Sequence, residues 1–142
     1  MDSYSNLWAR HKHNGFAAYN GIEITQIEEG RAQGVLTVRP SSLNPMGMVH
    51  GGLLAALADT VAGVAAATSG QVGVTLDCRM DYLRPAAGSE KIFCAAVPQR
   101  RGNHIAVYRA ELTDGSGALV ACGVFTFFFT GQPLPDFKAG SP

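Results

Sequence analysis

Hydrophobic positions along this chain follow two different rhythms. Apolar and polar side chains alternate around residues 22–27 and again around 32–38, and a Glu-Glu-Gly turn signal lies between them. That pattern predicts a β-hairpin, closed by Pro40. The stretch GVTLDCRMDYL, residues 73–83, also alternates, with Val74, Leu76, Cys78, Met80 and Tyr82 on one face and Thr75, Asp77, Arg79 and Asp81 on the other. Three more strands are predicted in KIFCAAV, IAVYRAEL and ALVACGVFTFFFT, separated by the turns PQRRGNH and TDGSG. Between the hairpin and these four strands, residues 53–67 are apolar on nearly every side and read as a helix. A shorter amphipathic helix is predicted over residues 3–19, anchored by Leu7, Trp8 and Phe16 and broken near Gly15. Its His11 and His13 stand at i and i+2, which do not face one another on a helix, so both are expected to be solvated. Residues 131–142 read as a loose tail.

The order of elements is therefore helix, two strands, a long apolar helix, and four strands. Nothing repeats, no linker interrupts the chain, and its 142 residues fit one domain with a real core. A helix that is apolar all round, set among antiparallel strands, is buried when the sheet curls around it. The expected architecture is α+β, a curved antiparallel β-sheet wrapped around a long central α-helix, which is the hotdog arrangement.

Composition narrows the choice of partners. Charged residues make up only 15% of the chain, against about 25% in an average soluble protein, which leans towards surface hidden in an oligomer. Eleven basic residues balance eleven acidic ones, so no overall field draws nucleic acid or an anionic membrane. Cys78, Cys94 and Cys122 are odd in number, widely spaced and set in apolar runs, so they are expected as reduced core thiols without a disulfide framework or metal spacing. The first fifteen residues lack the apolar core of a secretory signal, and the longest apolar run is too short to span a membrane. The expected address is the cytoplasm.

One position breaks the apolar helix, the carboxylate Asp59. An unpaired carboxylate in a dry interior costs several kcal/mol or becomes protonated, so it calls for a partner such as Arg79, or for a task. At the start of the same helix stand Gly51 and Gly52. Their bare backbone N–H groups sit at the positive end of the helix dipole, where a carbonyl oxygen gaining negative charge would be stabilised. Paired glycines there also serve simple packing against a strand. Gly51 and Asp59 are eight residues apart, or about 12 Å along one helix, too far for both to touch one small reacting group. A two-fold axis between antiparallel helices would bring Asp59 of one subunit near Gly51 of the other.

The segment NPMGMVHGGLLAALAD, residues 44–59, resembles the hotdog-fold acyl-CoA thioesterases of the phenylacetate-pathway type, relatives of the 4-hydroxybenzoyl-CoA thioesterases and of human thioesterase superfamily member 2. The likeness continues through GVTLDCRMDYLRPA, RRGNHIAVYRAELTD and LVACGVFTFFF, and covers about four-fifths of the chain, residues 20–130. It implies a catalytic carboxylate at Asp59, acting as general base or as nucleophile, and an oxyanion donor at the Gly51 N–H. It places His50 and Asn44 in the loop that shapes the helix entrance and helps hold the thioester carbonyl, and Thr75 as the hydroxyl that orients the attacking water. By simple alternation Thr75 lies on the polar face of its strand, so it meets Asp59 only if that face turns into the subunit interface. Where the family often carries a lysine for a coenzyme A phosphate, this chain has Asn103. Arg100, Arg101 and His104 are the candidates to compensate, with Arg84 near the mouth, although such a turn also suits a plain solvated hairpin tip.

The implied reaction is hydrolysis of an aryl- or medium-chain acyl-CoA by a homodimer or homotetramer. Coenzyme A is then part of the substrate, and no metal or cofactor is expected. A thiolate leaves readily, so one carboxylate and an oxyanion hole suffice. The chain has no Gly-x-Ser-x-Gly elbow, which argues against a serine hydrolase. Two other functions remain compatible with the fold. One is a hotdog enoyl-CoA hydratase or dehydratase, disfavoured because the helix holds no histidine. The other is a non-catalytic acyl-CoA-binding protein, disfavoured by the retained acid.

Overall fold

Gly34 marks the place where the long helix comes closest to the sheet. A Cβ built there would lie 2.7 Å from Val61 Cγ2 and 2.9 Å from the Glu23 carbonyl, so only glycine lets the helix settle at this depth. The computed structural model describes residues 4–138. It runs α1 (Ser5–Lys12), α2 (Gly15–Tyr19), β1 (Ile22–Glu28), β2 (Arg31–Thr37), a 3₁₀ turn (Pro40–Ser42), α3 (Gly51–Ala67), β3 (Gln71–Tyr82), β4 (Lys91–Arg101), β5 (Ile105–Thr113) and β6 (Leu119–Pro133). The six strands form one antiparallel sheet in the order β1-β2-β4-β5-β6-β3. This is the hotdog fold, with α3 held against the inner face of the sheet.

Helix α3 is built from alanine and leucine, the best intrinsic helix formers, and His50 caps its start. Leu54, Leu57, Ala58, Val61, Ala62, Ala65 and Ala66 are buried against Leu36, Ile92, Ala110, Phe125 and their neighbours on the sheet. Each large side chain removed from water in this way contributes about 1.5–3 kcal/mol. Thr68 closes the helix, its Oγ1 donating to the Ala65 carbonyl (2.7 Å) and accepting from the Gly30 N–H (2.8 Å), which ties the first hairpin to the helix end. The opposite flank of α3 is not packed on the sheet, and Asp59 lies there, exposed. The expectation of a carboxylate in a dry interior is thus corrected for the single chain, because α3 is buried on one side rather than all round.

β3 departs from simple alternation. Gly73 and Thr75 pair with Phe129 and Phe127, whose side chains are buried on the inner face; a bulge at Leu76 follows, and Cys78 then pairs with Phe125 and Met80 with Gly123. The extra residue brings Thr75 to the same face as Cys78 and Met80, while Val74 pairs with the exposed Phe128 on the outside. β3 is also a sheet edge. Val74 and Leu76 stand 51% and 57% exposed on it, and Tyr82 and Leu83 are exposed at its end. Cys78 is likewise exposed, unlike the buried Cys94 and Cys122, so the expectation of three core thiols holds for two.

The two ends of the described chain are fastened together. Asn6 Nδ2 donates to the Pro135 carbonyl (3.2 Å), Asn6 Oδ1 accepts from the Phe137 N–H (2.6 Å), and Leu134 N–H donates to the Gly70 carbonyl (2.7 Å). The tail expected to be loose is therefore held as far as Phe137, and its residues beyond 138 lie outside the described residues. α2 begins at Gly15 because Asn14 caps it, accepting from the Ala17 N–H at 3.1 Å. No helix among the described residues is long and apolar enough to cross a membrane.

Candidate active site

The loop before α3 is organised by Asn44. Its Oδ1 accepts from the backbone N–H groups of Met46 (2.9 Å) and Met48 (3.1 Å), and its own N–H donates to the Met48 carbonyl (2.7 Å). The side-chain oxygen is thus committed to the loop, which leaves the amide NH₂ as the part able to face a ligand. His50 follows as the N-cap, with Nδ1 accepting from the Gly52 N–H at 2.8 Å. That bond requires an unprotonated Nδ1 and leaves the ring proton on Nε2. The cap occupies Gly52, whereas the Gly51 N–H donates to none of the described residues. Gly51 is also bare of side chain, so a ligand oxygen could approach it closely.

Tyr82 holds the same turn from the side. Its hydroxyl donates to the Gly51 carbonyl at 2.9 Å, and its ring atoms lie 3.3–3.4 Å from where a Gly51 Cβ would be. Burial, with a smaller contribution from Cys78, raises the Tyr82 pKa above the usual phenol value, so the hydroxyl keeps its proton as a donor. Alternation alone gave no sign of this role for Tyr82. It follows from β3 ending beside the start of α3.

Two turns further along α3, Asp59 Oδ1 accepts from Thr75 Oγ1 at 2.9 Å. The strand face did not need to turn, because the bulge at Leu76 had already placed Thr75 on the helix side of the sheet. A single chain thus carries two clusters, Asn44–His50–Gly51 with Tyr82 and Asp59 with Thr75, spaced about 12 Å apart along the helix axis. Arg79 pairs with Asp81 (3.5 Å) and not with Asp59, so the structural partner proposed for the acid is excluded.

The basic residues also divide. Arg84 follows β3 at the end of the sheet near Gly51, its N–H donating to the Val120 carbonyl. Arg100, Arg101, Asn103 and His104 lie at the β4–β5 hairpin, next to Phe128 and Phe129. Eight residues of β6 separate the two places, about 27 Å of extended strand. Arg101 is paired with Glu29 (3.5 Å), and Arg100, Arg101, Asn103 and His104 are all exposed. The hairpin joins Thr68, Ser69 and Gln71 around a cavity of about 280 Å³.

A cavity of about 950 Å³ opens on Asp59. Its walls come from α1, α2, α3 and the tail, with Leu7, Phe16, Val64 and Phe137 supplying apolar surface. These walls escaped the sequence reading because their contacts join residues about 130 positions apart. His11 is half-buried beside that junction, against the expectation that it is solvated, whereas His13 is exposed as expected. His11 Nε2 accepts from the Ile24 N–H at 3.0 Å, and burial lowers its pKa against the opposing pull of Glu23. The ring of His13 stacks on Phe137 at 4.5 Å. Among the described residues no three metal-ligating side chains are clustered.

Comparison with known proteins agrees with this fold. Residues 46–121 match the profile of the thioesterase superfamily. Acyl-coenzyme A thioesterase PaaI of Escherichia coli is 30% identical over 84% of this chain and 85% of its own. The structure of that protein superposes with a TM-score of 0.88, at 28% identity, over 93% of this chain and 96% of its own. The 1,4-dihydroxy-2-naphthoyl-CoA thioesterase 2 of Arabidopsis thaliana is 28% identical over 86% of this chain and 83% of its own. A hypothetical thioesterase from Streptococcus pneumoniae, solved with coenzyme A, superposes with a TM-score of 0.81 at 28% identity, over 89% of this chain and 98% of its own. The fold and these matches define a hotdog-fold thioester hydrolase. The chain belongs to the thioesterase superfamily, in the neighbourhood of PaaI.

Proposed function

We propose that this protein hydrolyses aryl- or medium-chain acyl-coenzyme A thioesters at a site shared by two subunits. The observation that carries the reading is the Asp59–Thr75 pair standing two turns beyond an unused Gly51 N–H on the same helix. Neither cluster is complete alone. The edge of β3 offers the means of joining them, since it has unpaired backbone groups and the exposed apolar side chains of Val74 and Leu76. Two copies paired β3 to β3 around a two-fold axis set their α3 helices antiparallel. Asp59 of one chain then faces Gly51 of the partner subunit.

In such a site the thioester carbonyl oxygen points at the Gly51 N–H of the partner subunit. As a general base, Asp59 takes a proton from water, oriented by Thr75, while the water oxygen attacks the carbonyl carbon. The electron pair of the C=O bond moves onto oxygen, returns as the C–S bond breaks, and the thiolate takes up the proton. As a nucleophile, Asp59 would first form a mixed anhydride and release the thiolate, and water would then hydrolyse the anhydride. An oxyanion donor of this kind is worth about 3–4 kcal/mol of barrier.

The same pairing reverses β3 end for end. It carries Arg84 of the partner subunit towards the β4–β5 hairpin, where Arg100, Asn103 and His104 are free to meet the coenzyme A phosphates. Arg101, held by Glu29, is the weaker candidate. The outer face of the sheet shows Phe93, Ile105 and Phe128, which would suit the joining of two dimers into a tetramer.

The test is thiol release from phenylacetyl-, hydroxybenzoyl-, short- and medium-chain acyl-CoA by wild type and Asp59→Asn. The reading expects a fall of about 10³-fold or more in the variant, with folding unchanged. No release by wild type, or equal rates in both, would favour a protein that binds acyl-CoA without hydrolysing it. Water addition to an enoyl-CoA would favour a hydratase.

A further inference from the structure

Asp59, Gly63 and Ala67 succeed one another at four-residue intervals along α3, and all three border two cavities at once. The larger is the open space of about 950 Å³ bordered by α1, α2, α3 and the tail. The smaller, about 280 Å³, lies between α3 and β3, beside Thr75 and over Phe127 and Phe129. Arg10 also borders both, and its guanidinium is tethered to the Pro135 carbonyl at 3.3 Å. Residues four apart follow one line on a helix, so the two spaces share a floor running about 12 Å from Asp59 to Ala67.

Gly63 is the middle of that floor, and its presence needs a reason. Glycine inside a helix is about 0.5–1 kcal/mol worse than alanine. At Gly34 the reason is contact between helix and sheet. At Gly63 it is not, because a Cβ there would meet only Phe127 Cε1, at an ordinary 3.9 Å. The fold of the single chain would accept a side chain at this position. What the missing side chain keeps open is the space one turn away from Asp59.

We infer that Gly63 is a specificity-determining residue, and that the acyl group extends from Asp59 across Gly63 towards Ala67. The inference rests on the thioesterase reading for the chemistry at Asp59 and adds the course of the acyl group. The lining is mixed: beside the charged Arg10, Asp136 and Lys138 it offers apolar surface from Leu7, Val64 and Phe137 on one side and from Phe127, Phe129 and Leu134 on the other. These apolar surfaces suit a medium-length hydrocarbon chain, which gains with every methylene laid along the floor. An acetyl group would end before reaching Gly63.

The test uses ligands that cannot be hydrolysed. Calorimetric titration of wild type, Gly63→Ala and Gly63→Val with coenzyme A, S-ethyl-coenzyme A and S-octyl-coenzyme A separates head-group binding from acyl binding. Wild type should bind the octyl thioether more tightly than the ethyl one. Gly63→Val should weaken the octyl thioether about tenfold or more while leaving the other two ligands within about twofold, with Gly63→Ala intermediate. Equal affinity of wild type for the two thioethers, or equal weakening of all three ligands, would overturn the inference. Sedimentation of the same samples covers the competing occupant, since loss of the dimer in step with the added side chain would assign Gly63 to subunit packing. A wild type that shows the expected binding but releases no thiol from any acyl-CoA would defeat the hydrolase reading and leave this one standing. Hydrolysis without the Gly63 effect would do the reverse.

Discussion

Thr75 Oγ1 donates to Asp59 Oδ1 across 2.9 Å, and the bulge at Leu76 is what puts the hydroxyl on the helix side of the sheet. One hydroxyl proton serves one acceptor, so this bond holds the carboxylate in place and leaves its second oxygen for water or the thioester. A hydrogen bond to a charged group contributes about 1.5–3 kcal/mol.

Replacing Thr75 by valine keeps the shape and removes the donor. If Thr75 aligns Asp59 for the chemical step, kcat should fall about 10- to 100-fold with KM little changed, and Thr75→Ser should recover most of the loss. Steady-state kinetics on one acyl-CoA decides it. A Thr75→Val enzyme as fast as wild type would mean that the bond is only structural.

Tyr82 makes a second prediction at the other cluster. Tyr82→Phe removes the hydrogen bond to the Gly51 carbonyl and leaves the ring against the glycine. The expected cost is about 1 kcal/mol, or roughly a fivefold drop in kcat, because the first turn of α3 loses a tether. Gly51→Ala should cost more, since its Cβ would stand 3.3 Å from that ring and crowd the approach to the N–H.

The edge of β3 carries a third prediction. Lysine at an exposed edge position opposes strand pairing, so Leu76→Lys should yield a folded monomer by sedimentation. If each site needs two subunits, activity should disappear with the dimer. A Leu76→Lys monomer that still hydrolyses acyl-CoA would place the whole site within one chain and refute the shared arrangement.

Much of this was legible beforehand because hydrophobic periodicity reports directly on which face is buried. The six strands and the helix followed from pattern and spacing, and the same pattern singled out Asp59 and Gly51 as candidates. Thr75 did not, because alternation assumes an unbroken pleat and Leu76 breaks it. Tyr82 counted as one more apolar position until the chain folded its ring onto Gly51. The cavity walls were the least accessible. Asn6 and Phe137 meet only through the tertiary fold, and neither lies in a periodic segment that would reveal the other.

His11 supplies the last prediction, one of stability against pH. Its Nε2 accepts the Ile24 N–H, and burial holds its pKa below the ordinary histidine value of 6.5, with Glu23 opposing in part. The unfolded chain therefore binds the proton more readily than the folded one as pH falls. The contribution of neutral His11 is fully present above about pH 6.5, is lost progressively as pH falls through the lower folded value, and levels off below it. Protonation also abolishes the acceptor for Ile24, so the junction of α1 with β1 should loosen first. Melting temperature should accordingly drop on the acid side of pH 6.5 in wild type and drop less in His11→Gln, whose amide oxygen can still accept a hydrogen bond. Hydrogen exchange at the Ile24 amide should accelerate over the same range. Parallel melting curves for the two proteins would show that His11 carries none of the acid sensitivity.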